Sequence, residues 1–244
     1  VTQSGILALD AYSRKYFRRP SAYIDEFLFV SNFSRDKHIA FNENYRIKSS
    51  VLYNFMPGID KIGHSIENRG YLLYLGRLSR EKGIITLLDA LASSQHALKV
   101  AGTGPLIESL KLRAKSNTEL LGYKSGDELK RVIHGARFIV VPSVCYENNP
   151  MSIIEAYAYG KPVIGADIGG IPEIIIDGRT GFLFEPGNTD MLKEKIECAM
   201  TMNDRQYDEM SKHAREFALE KFSPEKHYQK LISIYERVIC PSVR

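Results

Sequence analysis

An α/β fold, a parallel sheet with helices on both faces, is what this chain predicts, and three observations predict it. Short apolar runs rich in Leu, Ile, Val and Tyr recur between residues 70 and 184. Helix-period segments separate them, the alternation that parallel strands joined by crossovers require. The chain is 244 residues long and 44% hydrophobic, enough to bury a sizeable core.

The elements follow in order. Phe27–Ser31 reads as a buried strand and Asn32 to about Phe41 as a short helix capped at Ser31 or Asn32. Ser49–Asn54 is a second strand ending in a loop to Gly58, and a linker is placed at Phe55–Arg69, where Pro57, Gly58, Gly63 and Asn68 cluster. The pattern becomes regular from Gly70: strand Tyr71–Leu75, helix Gly83–Ser93, strand Ala97–Ala101, helix Pro105–Ala114, strand Glu119–Gly122 and helix Asp127–Ala136. Phe138–Val141 is an apolar run stopped by Pro142 and reads as a buried strand. Asn149 and Pro150 read as the N-cap and first position of a helix running to a stop at Gly160. Strands Pro162–Ala166 and Gly181–Phe184 come next, then helices at about Thr189–Met202, Arg205–Lys221 and Pro224–Ile239.

Composition narrows the function classes. Charged residues make up 25% and the net charge is +4, ordinary globular values that do not argue for nucleic acid. Cys145, Cys198 and Cys240 are widely spaced, odd in number and without a C-x-x-C pair, which fits a reducing cytoplasm better than a disulfide framework. Cys145 has no histidine near it in sequence and reads as a small packing residue rather than a nucleophile. The six histidines are scattered without ligand spacing, so no metal is expected. No apolar run reaches the length of a membrane span, and residues 1–20 are no signal peptide. The basic cluster Arg14-Lys15 and Arg18-Arg19, interleaved with Tyr12, Tyr16 and Phe17, reads as a solvated helix face; peripheral contact with an anionic membrane is the alternative.

The segment Val141–Phe184 carries the chemistry. Glu147 lies in the loop after a strand, and Glu155 follows after seven intervening residues, in the early turns of the next helix. That crevice is where open α/β sheets bind ligands, and the exposed N–H groups of a helix start suit a phosphate. Two further turns leave the same sheet edge: Gly76-Arg77-Leu78-Ser79-Arg80-Glu81-Lys82-Gly83 and Gly102-Thr103-Gly104-Pro105. The second fails as a dinucleotide fingerprint because Ile107 occupies the third glycine position.

These motifs resemble the retaining family-4 glycosyltransferases of GT-B fold, with two facing Rossmann-like domains. The resemblance rests on Glu147 to Glu155-Ala156, on Gly160-Lys161-Pro162-Val163-Ile164, and on Gly169-Gly170-Ile171-Pro172-Glu173. Many members carry an aromatic residue and glycine after the first Glu; here Asn148, Asn149 and Pro150 stand there, a form similar to enzymes of surface-polysaccharide assembly. Family members are considerably longer, and Val1 is no start methionine, so residues 1–69 are expected to be the end of an acceptor-side domain plus linker. Residues 70–244 are then the donor-binding domain with its C-terminal helices.

The resemblance implies a role for each residue. Arg77 and Lys82 hold the donor diphosphate, where fixed cations offset the charge that develops as the glycosidic bond breaks. Glu147 orders the hydroxyls of the transferred sugar, and Glu155 accepts hydrogen bonds from the ribose. Gly76 and Gly104 admit the nucleotide, Tyr123 and Lys124 stand where the base is lined, with Tyr123 either stacking on the base or simply packing, and Asn149, Pro150, Met151 and Ser152 form the helix start beside the phosphates. Gly169, Gly170 and Glu173 are turn and cleft-wall elements. The implied partners are a UDP- or GDP-linked sugar as donor and a glycan or lipid-linked acceptor, with no cofactor. A non-catalytic nucleotide-sugar-binding subunit and a GT-B sugar-nucleotide epimerase are the alternatives; a nicotinamide oxidoreductase is weakest.

Overall fold

The computed structural model describes residues 23–63 and 70–240, so the basic cluster at residues 14–19 and the end of the linker lie outside the described residues. A small unit comes first. Strands β1 (Phe27–Phe29) and β2 (Ser49–Val51) pair in parallel, with helix α1 (Asn32–Phe41) crossing between them. Ser31 caps α1, its hydroxyl accepting from Ser34 N at 3.1 Å. Both strands are shorter than their apolar runs predict; among the described residues each pairs with the other alone.

A six-stranded, all-parallel sheet follows, made of β3 (Tyr71–Leu75), β4 (Leu98–Ala101), β5 (Thr118–Gly122), β6 (Ala136–Val141), β7 (Val163–Ala166) and β8 (Gly181–Phe184). Its order is β5-β4-β3-β6-β7-β8, so the chain winds outward in one direction from β3 and then in the other from β6. The crossovers are α2 (Ile84–Ala90), α3 (Ile107–Arg113), α4 (Gly126–Gly135) and α5 (Met151–Ala158). Helices α6 (Thr189–Thr201), α7 (Asp204–Lys221) and α8 (Pro224–Ile239) complete the chain. Gly160, at φ 67°, ends helix α5, which carries Glu155, as its position predicts.

Strand alternation divides the core in two. Leu72, Tyr74, Val100, Phe138 and Val140 face one side and pack beneath α2 and α6. Tyr71, Leu73, Ile139 and Val141 face the other and pack beneath α5 and α7. Every residue of β6 is buried, as expected for a central strand covered on both faces, and each such Ile, Val or Phe stabilises by about 1.5–3 kcal/mol.

The C-terminal helices also fasten the first unit. The Arg215 side chain on α7 is buried and donates to the carbonyls of Ala158, Ile59 and Ile62, tying the linker to the sheet layer. On α8, the His227 ring lies 2.9 Å from Tyr53 O, and Arg237 pairs with Glu26 at 2.7 Å.

Candidate functional site

Where the winding reverses, between β3 and β6, neighbouring crossovers depart to opposite faces and a crevice opens at the carboxyl edge. A cleft of about 370 Å³ occupies that place. Its floor is the end of β3 (Tyr74, Leu75, Gly76) and of β6 (Val140, Val141, Pro142). Arg77 and Lys82 stand on one wall; Ser143, Glu147, Pro150, Met151, Ser152 and Glu155 form the other. A second cavity of about 440 Å³ shares Leu75, Gly76 and Arg77 and extends over Gly102, Gly104, Tyr123 and Lys124.

Local backbone chemistry builds these walls. The β3 turn is stitched by Tyr74 Oη donating to Arg77 O at 2.7 Å, and by Leu78 N donating to Thr103 O at 2.9 Å. Burial raises the Tyr74 hydroxyl pKa well above its ordinary value, so it stays a donor. Gly83 closes the turn at φ 68°, and a Cβ there would sit 1.6 Å from Pro142 O. Gly83→Ala is therefore expected to cost about 2–4 kcal/mol, strained backbone plus a clash with the β6 end. A thermal denaturation midpoint equal to that of the unaltered chain would contradict it.

Charge within the cleft is unevenly distributed. Lys82 Nζ lies 2.6 Å from Glu147 Oε1, which also accepts from Ser143 Oγ at 2.8 Å. The ammonium has three donors, so this pair leaves two for an anion. Arg77 is exposed, and its guanidinium makes no ion pair or hydrogen bond with another described residue. Glu155 is half-buried, its carboxylate accepts no hydrogen bond from a described residue, and desolvation raises its pKa. A partly desolvated carboxylate without donors is an acceptor open to hydroxyl or amide hydrogens. Burial, and then Glu147, raise the Cys145 thiol, the opposite of what a nucleophile needs. Tyr123 is 72% exposed, so its ring is a free face above the second cavity and not a core residue. Lys124 pairs loosely with Glu128 at 3.5 Å.

Two expectations need correction. Asn149 does not cap α5, whose cap is Pro150 without a side-chain bond. Nor is it among the cleft-lining residues: its Oδ1 accepts from Asn54 N at 3.0 Å, and its carbonyl accepts from Asn54 Nδ2 at 3.1 Å. Contact with a residue 95 positions away outcompetes the local cap. Glu173 is likewise no cleft-wall residue; its carboxylate faces helix α1. Gly170 does serve as a turn element, donating from N to Glu147 O at 2.6 Å where a Cβ would meet Asn148 O at 1.9 Å. Tyr74 and Ser143 are cleft residues the motifs did not single out; Ser143 had one usable signal, its place directly after Pro142 at the end of a buried strand.

Fold and site together define a doubly wound α/β protein with a cationic and carboxylate-lined cleft at its switch point, of GT-B type. Residues 58–217 match the family model for glycosyl transferases group 1, and the chain belongs to that family. It is 32% identical over 238 residues to an uncharacterized glycosyltransferase of Methanocaldococcus jannaschii, an overlap of 96% of this chain and 65% of that protein. It is 31% identical over 182 residues to the lipopolysaccharide 1,2-N-acetylglucosaminetransferase of Salmonella typhimurium, covering 67% of this chain and 47% of that one. Among solved structures, Anabaena HepE in complex with UDP-glucose superposes with a TM-score of 0.75 at 21% identity, over 87% of this chain and 64% of that chain. The chain thus spans less than two thirds of the length of each of these three proteins. Among the described residues no helix is long and apolar enough to cross a membrane.

Proposed function

We propose that this chain is the donor-binding part of a family-4 retaining glycosyltransferase that takes a sugar from a nucleoside diphosphate in the assembly of a surface polysaccharide or lipopolysaccharide. The observation that carries this reading is the gathering of two cations and two carboxylates around one cleft at the switch point of the sheet. In it Arg77 and Lys82 hold the diphosphate, aided by the Met151 and Ser152 end of α5; Glu155 takes the ribose hydroxyls; Glu147 orders the sugar. The cavity beneath Tyr123 takes the base, with Gly76 and Gly104 giving the nucleotide close access to the backbone.

The reaction balances simply. The bond from the anomeric carbon to the β-phosphate oxygen breaks, and its electron pair leaves with the nucleoside diphosphate. The acceptor hydroxyl oxygen attacks from that same face and passes its proton to the leaving phosphate oxygen, so configuration is retained. Lys82 and Arg77 stabilise the growing phosphate charge, which is where a fixed cation gains most. The binding of UDP and UDP-glucose by HepE supports a uridine nucleotide as the first donor to try.

Calorimetric titration of the chain with UDP, GDP, ADP and CMP tests the reading. Selective binding of one nucleoside diphosphate is expected. Binding of none would remove the donor assignment and favour a subunit that scaffolds without binding nucleotide.

A further inference from the structure

Glu173 lies outside the cleft, yet its carboxylate is the most heavily used acceptor in this part of the molecule. One oxygen accepts from Asn32 N at 2.8 Å, Asn32 Nδ2 at 3.0 Å and Tyr53 Oη at 2.9 Å; the other accepts from Phe33 N. A carboxylate on the first N–H groups of a helix satisfies orphan donors and meets the positive end of the helix dipole. Burial, together with Glu173, pushes the Tyr53 hydroxyl up to about 12, so it remains a donor to that carboxylate.

The elements bound by Glu173 also hold the loop that presents Glu147. Phe33, on α1, packs its ring 4.8 Å from that of Tyr146, the residue before Glu147, and Lys37 lies over both rings at 5.6 and 5.2 Å. Asn54, adjacent to Tyr53, makes the two bonds to Asn149 at the far end of the loop. Gly170, three residues before Glu173, donates to Glu147 O. The turn at Gly170–Glu173 thus grips the loop on one side and α1 on the other, and α1 grips the loop again.

We infer that Glu173 is a positioning residue: by fastening helix α1 and the Tyr53–Asn54 strap, it sets the place of Glu147 in the cleft. The functional part of this inference rests on the donor-site reading; the mechanical part does not. Docking of α1 and the geometry at the sugar end of the cleft are then one coupled event, so a change in the small unit is felt at Glu147 without touching a ligand.

Hydrogen exchange of the chain tests this, in Glu173→Gln and in Phe33→Leu, which removes the ring contact and leaves the carboxylate intact. In Glu173→Gln, amides of residues 31–41 and of residues 143–149 are expected to exchange faster together, by about ten-fold, while β3 and β6 keep their protection. In Phe33→Leu the loop is expected to exchange faster while α1 remains protected. Acceleration confined to residues 31–41 in Glu173→Gln would overturn the inference. If that variant unfolds throughout, an unchanged loop in Phe33→Leu overturns it instead. Calorimetry with UDP and UDP-glucose separates the two readings. Loss of the extra affinity given by the sugar, with UDP binding retained in Glu173→Gln, supports the functional part, and its retention overturns that part. A chain that binds neither of these ligands nor GDP, ADP or CMP refutes the donor site and leaves the exchange result to decide the mechanical tie.

Discussion

Glu155→Gln is expected to weaken nucleoside diphosphate binding by about ten- to a hundred-fold, the worth of one or two hydrogen bonds to a charged acceptor. The same substitution is expected to raise stability at neutral pH. Burial holds the Glu155 pKa above its ordinary value, so the folded chain resists ionising it more than the unfolded chain does. Below the ordinary carboxylate range both states are protonated and the substitution changes nothing by this route. As pH rises through the raised folded value the cost of the charged form becomes complete, and glutamine removes it. Binding runs the other way: on the proposed reading ribose hydroxyls donate to the carboxylate form, so affinity is expected to fall as pH drops through that raised value, and binding near it to release protons. Calorimetry in buffers of different ionisation enthalpy, beside thermal melts across acid to neutral pH, checks both. A variant that binds the nucleotide normally would remove Glu155 from the site, and one that is less stable at neutral pH would contradict the desolvation argument.

The second large effect is expected at Lys82. On the proposed donor-site reading, Lys82→Met in the full-length protein is expected to lower turnover by about 100- to 1000-fold, the usual consequence of removing one group aimed at developing charge. A second consequence follows from the 2.6 Å pair with Glu147. Glu147 is 13% exposed in its side chain, so losing the ammonium leaves a mostly desolvated carboxylate with Ser143 as its described donor. Stability is then expected to fall by about 1–3 kcal/mol. Adding Glu147→Gln to Lys82→Met restores the stability, because no charge is left unpaired, yet leaves turnover low. A double variant no more stable than the single one would show that the pair carries no energetic coupling; a Lys82→Met enzyme with normal turnover would take the lysine out of the chemistry.

Much of this protein follows from short-range physics and is legible in one dimension. The run Phe138–Val141 reads as a buried strand from its apolar residues alone, and β6 is buried throughout. Gly160 sits where the backbone turns left-handed, a conformation that side-chain-bearing residues resist, whereas Gly83, which the pattern reads as the first helical residue, is the left-handed turn before α2. The spacing from Glu147 to Glu155 places one carboxylate in the loop and the other one helical turn inside, so both line the same cleft. Strand-then-helix alternation dictates the parallel sheet, and the turns after β3 and β4 therefore gather on one edge with the glutamates.

What the sequence could not supply is the identity of partners far apart along the chain. Lys82 and Glu147 are 65 residues apart, and each alone is an ordinary loop charge. Asn149 has the chemistry of a local cap, and contact with Asn54 takes precedence. Arg215 looks like one more surface cation on an amphipathic helix until carbonyls as far as 156 residues away close around it. Glu173 is the sharpest case, since its four donors come from residues 120 to 141 positions earlier. Propensity, periodicity and turn chemistry act over a few residues and are written into the chain directly; hydrogen-bond partners across a core exist only once packing has brought two surfaces within 3 Å or so. The sequence alone determined that there is a sheet, where its edge lies and which charges reach that edge. The tertiary structure decided which of those charges meet each other, and which element holds the Glu147 loop in place.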